Sequence, residues 1–514
     1  MTRTLVAAAV GIAVAASAAV SYSTELRGTD AGFRAPDFGQ QVTALAKLEA
    51  LKLFGVLGTL GESSSKSLTA AEANADPARF LTVAPGLKVR VVSAAANLGA
   101  LTDQMVLFPD AKNPTHLIVC NEGSGSIVSV QRVSLKTGVA EDIVSSGISA
   151  CDPARKTPWG TIIVGEETGG GGRLFEILDP LTTTGVTVSG SGAATTTSDP
   201  SRVAFRPNVG TLSFEGLALL PTGVMYMTDE SRPGLGNPGG GIYKFIPSKS
   251  WSGSNPITNL ADSPLTAGRI FGFRAGRNNS NTDFGQGNEF GRGVWIEITH
   301  RPDVGNVPIN LRSAGSLLRM TSYYRPEDAE LDPRMLAQGQ VRFCGTNTGQ
   351  DAPDTTANGD NHWGEVYCFR DGTVQQASSI VEGNQSITSG PLSGSSYTLN
   401  TATVPEYFPL ILGNLDFAMM DNLAYQPGRG NFLINEDGEG PTYTTPRNND
   451  IWSCLDDGQD TDKLSDACVK VMTLNDLTAE STGGVFDATG KRYFVSIQHN
   501  VTGHGVILEV TGWR

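Results

Sequence analysis

Residues 103–122 read DQMVLFPDAKNPTHLIVCNE, and the order of residue types in this stretch decides the fold. An acid opens a short apolar run, a turn rich in Pro, Asp and Asn follows, and a second apolar run ends in amide and acid. The same order returns in CDPARKTPWGTIIVGEE (151–167), EGLALLPTGVMYMTDE (215–230), EDAELDPRMLAQGQVRFCGTN (327–347), DNLAYQPGRGNFLINED (421–437) and GGVFDATGKRYFVSIQH (483–499). Each copy is followed by a third run of alternating residues: 125–133, 171–178, 240–246, 364–370, 450–455 and 504–510. Period-two alternation marks half-buried strands, and turns such as PTG or PGRG between two runs mark hairpins. Six units of three or four antiparallel strands predict an all-β chain folded as a six-bladed β-propeller. A sandwich with coincidental spacing would not repeat this order.

The composition agrees. Of 514 residues, 61 are Gly and only 18% are charged, against about 7% Gly and about 25% charged in an average soluble domain. The apolar share of 39% is enough for a large core, which argues against global disorder. The net charge of −14 argues against nucleic acid as a partner, because binding phosphates takes an excess of Lys and Arg.

Working outward, the chain divides into three parts. Residues 1–20 read as a secretion signal: Arg3 supplies the basic start, Leu5 to Val20 is apolar, and Ala16, Ser17 and Ala18 offer a cleavage site. Residues 21–85 form a helical and extended segment, with Val42, Leu45, Leu48, Leu51 and Phe54 at helical spacing. The propeller occupies 86–514. The stretch from Ser250 to Asn288, rich in Gly, Ser and Asn, reads as a surface insertion. No second run is long and apolar enough for stable membrane insertion, so a periplasmic or secreted location is expected, and a monomer.

Export permits disulfides. Cys454 and Cys468 bracket a short acidic loop, and Cys344 and Cys368 lie on two neighbouring runs. Cys120 and Cys151 remain: they pair with each other, or one of them is a metal-binding thiolate.

The repeat also places chemistry. In four copies an acid stands six residues before a proline: Asp103, Glu215, Glu327 and Asp421. If the first strand of each unit is innermost, these carboxylates ring one mouth of the central channel. The second strand runs back antiparallel and ends at the same face. It brings Glu122, Glu166 with Glu167, Asp229 with Glu230, and Glu436 with Asp437. Carboxylates that converge raise one another's pKa, and hard cations with oxygen ligands relieve the repulsion. Candidate metal ligands from the repeat are therefore Asp103, Asp229 and Glu436 beside the ring acids. No histidine pair has zinc spacing, and no nucleophile elbow is present.

The segment from Cys151 through TPWGT to the Glu pair at 166–167 resembles the PhoX-type alkaline phosphatases. So do SFEG (213–216), GGIYKF (240–245), RPE (325–327), the Asp421–Asn422 pair and VSIQH (495–499). The resemblance spans about 151–499 and implies a six-bladed propeller, the fold reached from the repeat. It further implies an exported phosphomonoesterase with ferric iron and calcium as cofactors and a small phosphoester as substrate. Carried over residue by residue, it makes Cys151 an iron ligand and Glu166, Glu215 and Glu327 cluster carboxylates. Asp421 and Asn422 become calcium ligands, and Arg325 becomes the phosphate clamp. Catalysis would then rest on Arg325, Glu327 and Glu215, with a metal-bound oxo or hydroxide attacking in line. Two other functions fit the same repeat: a calcium-dependent propeller esterase or lactonase, and a non-enzymatic secreted binding propeller.

Overall fold

The computed structural model describes residues 46–514 apart from 126, 233–238, 277–289, 350–362, 389–392, 439–445 and 458–461. The signal at 1–20, most of the expected leading helix and part of the 250–288 stretch thus lie outside the described residues.

Each repeat unit is one blade of a propeller. The innermost strands are Thr102–Phe108, Cys151–Lys156, Phe214–Leu219, Pro326–Leu331, Met420–Tyr425 and Glu480–Phe486, for blades one to six. The second strands run back antiparallel: His116–Asn121, Ile162–Glu166, Met225–Asp229, Gln340–Asn347, Phe432–Glu436 and Arg492–Gln498. The third strands fall inside the alternating runs, as in Ile242–Pro247 of blade three and Val506–Thr511 of blade six. Neighbouring inner strands touch in chain order, and the sixth touches the first, so the ring closes.

Six hydrophobic clusters fill the six gaps between blades. Ile162 and Val164 face blade one, while Ile163 between them faces blade three. Both faces of such a strand are buried, which explains why the second runs read as continuous apolar stretches. The conspicuous TPWGT segment serves this packing. The Trp159 ring nitrogen and the Thr161 hydroxyl both donate to Glu176 at 2.6 Å, and Arg206 holds the other carboxylate oxygen. Three donors stabilise a carboxylate that is fully buried.

The Ser250–Asn288 stretch is not all insertion. Gly268–Ala275 within it is the buried fourth strand of blade three. The N-terminal segment is also knitted in. Leu81–Val83 forms the outer edge of blade five, and Lys88–Ser93 closes blade six beside Val506–Thr511. Of the expected N-terminal helical pattern the described residues show helix at 46–48, Ala50–Phe54 and Ala70–Ala75 and a 3-10 turn at Pro77–Phe80. Cys344–Cys368 and Cys454–Cys468 staple strands within blades four and five, whereas Cys120–Cys151 joins blade one to blade two. No helix among the described residues is long and apolar enough to cross a membrane.

Candidate active site

All six inner strands carry a β-bulge at the same place. Regular pairing breaks after Thr102, Cys151, Phe214, Pro326, Met420 and Thr482, and resumes three residues later. A bulge re-aims side chains away from the pleat. Its first residue is Asp103, Asp152, Glu215, Glu327 or Asp421 in blades one to five. In blade six it is Gly483, at φ +64°, where an added Cβ would fall 2.5 Å from the Asp103 carbonyl oxygen.

The five carboxylates line or border a cavity of about 460 Å³ at one mouth of the channel. Among the described residues its wall holds Asp103, Glu122, Glu167, Glu215, Glu327, Asp421, Asp437 and Glu480, against one arginine, Arg325. Two trios, Asp103–Glu122–Asp152 and Asp152–Glu167–Glu215, each bring three carboxylate oxygens within 4.8 Å of one another. Asp152 belongs to both. It is 1% exposed, and no donor reaches either of its oxygens.

This crowding sets the titration of the cup. Burial first, and neighbouring negative charge second, push Glu122, Asp152, Glu215 and Glu480 well above the carboxylate range. For Glu327 and Asp421 burial is again the largest cause of a rise, with Arg325 opposing it. Glu167 is pushed up to about 8 by burial and by Glu230. Asp103 rises less, to about 6, because Thr482 and Gln498 donate to it against the burial.

Arg325 sits in the left-handed region at φ +52°. Its backbone N–H donates to the Ser231 carbonyl, and its Nε donates to Glu230 at 2.9 Å. Glu327 lies 3.2 Å and Asp437 3.6 Å away. Burial alone would lower its pKa, but these carboxylates hold it firmly charged.

The structure thus brings Asp103, Glu215, Glu327, Asp421 and Arg325 together, as the repeat and the resemblance had them. Five other expected ligands stand elsewhere. In each strand-end pair the first acid turns back to an arginine and the second enters or reaches toward the cup. Glu166 is forked by Arg173, Asp229 by Arg312, and Glu436 by Arg447. Their partners Glu167, Glu230 and Asp437 face the channel side. The reason is strand alternation: successive residues point to opposite sides. The Asn422 side-chain oxygen accepts from the Gly483 N–H, inside the fold. Cys151 is bonded to Cys120 and offers no thiolate.

Sequence reasoning missed Asp152, although it stands six residues before Pro158, the spacing of the other four ring acids. The cysteine before it drew the eye instead. Glu480 carries no such signal, since it lies three residues before the bulge of its strand.

Among the described residues the donors that converge on the cup are oxygens, with the imidazole of His499 at its wall. Such a set suits hard cations that take six to eight oxygen ligands, and the donorless Asp152 fits that use. A thiolate-ligated iron does not fit, because both sulfurs beside the cup are in the disulfide.

The sequence model of the family described as alkaline phosphatase PhoX matches residues 147–500. Among solved structures the chain is similar to Pseudomonas fluorescens PhoX in complex with vanadate, a transition-state analogue, at 16% identity. That match covers 88% of this chain and 98% of the other, with a TM-score of 0.55. The PQQ-bound aldose sugar dehydrogenase of Streptomyces coelicolor follows at 14% identity, covering 84% of this chain and 98% of the other, with a TM-score of 0.31. No curated protein matches by sequence.

Proposed function

The chain belongs to the alkaline phosphatase PhoX family and is a phosphomonoesterase, and from that premise we propose that its acid cup holds hard cations and that Arg325 grips the phosphoryl group. The observation that carries the reading is the repeated bulge, which gathers five ring carboxylates, the donorless Asp152 among them. Eight acids and one arginine line the cavity. A phosphomonoester carries close to two negative charges at neutral pH. Each like-charge contact near 4 Å costs about 4 kcal/mol at an effective dielectric of 20. The substrate therefore enters only when cations fill the cup. Calcium is the cation this oxygen set fits best.

When bound, such cations supply the Lewis acidity and positive charge that phosphoryl transfer requires. The residues of the chain do the rest. Asp152, shared by both trios, would offer an oxygen to a cation in either of them. Arg325, held at its Nε by Glu230, turns its remaining edge to the phosphoryl oxygens and stabilises charge as it builds up in the transition state. The Thr348 hydroxyl lies 3.0 Å from a Glu327 oxygen and 3.2 Å from an Asp421 oxygen, and its one proton can serve only one of these two ring carboxylates beside blade four. We further propose export, which the apolar run from Leu5 to Val20 and the three disulfides support.

The test is elemental analysis for calcium and iron on protein purified without chelator, with p-nitrophenyl phosphate turnover on the same sample. Bound calcium is expected, together with turnover that is lost on chelation and restored by calcium. Arg325→Ala should cut kcat/KM about a hundredfold or more without unfolding the chain. Turnover that survives complete chelation, or that is indifferent to Arg325→Ala, would overturn the reading. Iron that binds in the wild type and is lost in Cys151→Ser would overturn the sulfur-free donor set.

A further inference from the structure

Beneath the acid cup the channel has a floor, and one side chain spans it. Arg155 leaves the inner strand of blade two and crosses the channel. It donates to the Gln104 side-chain oxygen at 2.7 Å and to a carboxylate oxygen of Asp328. Gln104 and Asp328 are the second residues of the bulges in blades one and four, directly after the ring acids Asp103 and Glu327. The other Asp328 oxygen accepts from the Leu423 N–H at 3.3 Å, which ties in blade five.

The chemistry of these groups fixes a direction. A guanidinium only donates, so Gln104 must turn its carbonyl oxygen toward Arg155. Its amide NH₂ then faces the other way, and it lies 3.3 Å from Glu215 Oε2. Glu215 is a ring acid and a member of the second trio, 7% exposed. Capping one of its oxygens from below leaves the other for the cup. With no guanidinium beneath, the amide could flip and set its own carbonyl oxygen against the carboxylate.

We infer that Arg155 is a positioning residue: through Gln104 it fixes which oxygen of Glu215 is presented to a cation in the cup. The inference rests on the cation-binding reading above and adds to it a residue outside the cavity wall. Arg155 touches neither cation nor substrate. It acts by orienting an amide, and that amide orients a ligand.

Calcium titration by calorimetry on the chelator-stripped full-length chain tests this, with Tm and p-nitrophenyl phosphate kinetics measured alongside. Gln104→Leu removes the relay and leaves the Arg155–Asp328 pair in place, so it remains informative if Arg155→Met fails to fold. Each variant should weaken calcium binding about tenfold to a hundredfold, the worth of one hydrogen bond to a charged group. The double variant should be no weaker than the worse single one, because both interrupt the same relay. Gln104→Glu, which keeps an acceptor toward Arg155 but sets a carboxylate against Glu215, should weaken calcium binding as well. Unchanged calcium affinity with a lowered Tm would make Arg155 a strut and overturn the inference, as would effects that multiply in the double variant. A wild type that binds no calcium overturns the cation reading itself. Calcium binding that shifts as expected in a chain without phosphatase turnover leaves the relay standing and overturns the substrate assignment.

Discussion

Removing the cations should make the protein's stability fall as pH rises, and the size of the fall follows from the cup. Asp103 is held at about 6 against an ordinary 3.8, and Glu167 at about 8 against 4.5. At about 1.4 kcal/mol per tenfold, these displacements amount to about 3 and about 5 kcal/mol. The two do not add, since each charge acts on the other. The sign is set by proton binding. Between the unfolded and folded values the native chain keeps protons that the unfolded chain has released, so stability drops as pH rises. The fall starts near pH 4 and continues to about pH 8. The other buried ring acids push the same way. Carboxylates lowered by arginine partners, such as Asp456 and Asp303, titrate below this window. Among the described residues His116, lowered by burial, works in the opposite sense below about 6.5, and Lys244, also lowered by burial, does so toward higher pH. At about 2.1 cal/mol/K per residue, a propeller of this size shifts by about 1 °C per kcal/mol, so a drop of about 3–6 °C is expected between pH 5 and pH 8. Scanning calorimetry of stripped protein measures it. Calcium should displace the protons and flatten the curve, with proton release seen as a buffer-dependent binding enthalpy. A stripped protein whose Tm is flat or rising from pH 5 to pH 8 would refute the account of the cup as a store of misplaced negative charge.

The strand-end pairs make a sharp contrast: Glu166→Gln should lower Tm while calcium binding persists, because Arg173 loses its fork, whereas Glu167→Gln should weaken calcium binding and raise the Tm of stripped protein at pH 8. Calorimetry on the two variants side by side decides it. Cys151→Ser should lower stability by about 3–4 kcal/mol, the loop-closure value for a 31-residue separation, while calcium stays bound; loss of calcium in that variant would mean that sulfur is a ligand after all. Asp371→Ala should destabilise by about 3–5 kcal/mol, because it strands Lys244, which is fully buried and 2.5 Å from that carboxylate, and urea unfolding reads the difference.

The fold was legible because a propeller states itself six times. Each unit offered the same acid, turn and apolar order, and one ambiguous run was corrected by five others. The strand at Gly268–Ala275 escaped because Gly and Ser around it read as loop, while its apolar residues, Ile270, Phe271 and Phe273, are too few to outvote them. The site was half legible. The spacing of acid to proline registers the bulge, so Asp103, Glu215, Glu327 and Asp421 could be set on one ring from sequence. Choosing within Glu166–Glu167, Asp229–Glu230 and Glu436–Asp437 requires knowing which neighbour an arginine claims. Arg312 reaches Asp229 from 83 residues away, and no local pattern announces it. The Cys120–Cys151 bond likewise depends on the packing of two blades, a contact made in space and not in sequence.

The strand Lys88–Ser93 lies beside Val506–Thr511, and Arg90 meets Glu509 across 419 positions of chain. That seam is a latch. Until it shuts, the wheel is a bent ribbon with a raw apolar flank at each end, and the carboxylates of blade one have no fixed distance from those of blade six. Such distant contacts close late, after much chain entropy has been spent. The cup therefore has no partial version. A chain severed between any two blades yields two pieces, neither holding a weakened site, and mixing the pieces would restore both the hoop and the negative well at its hub together or not at all.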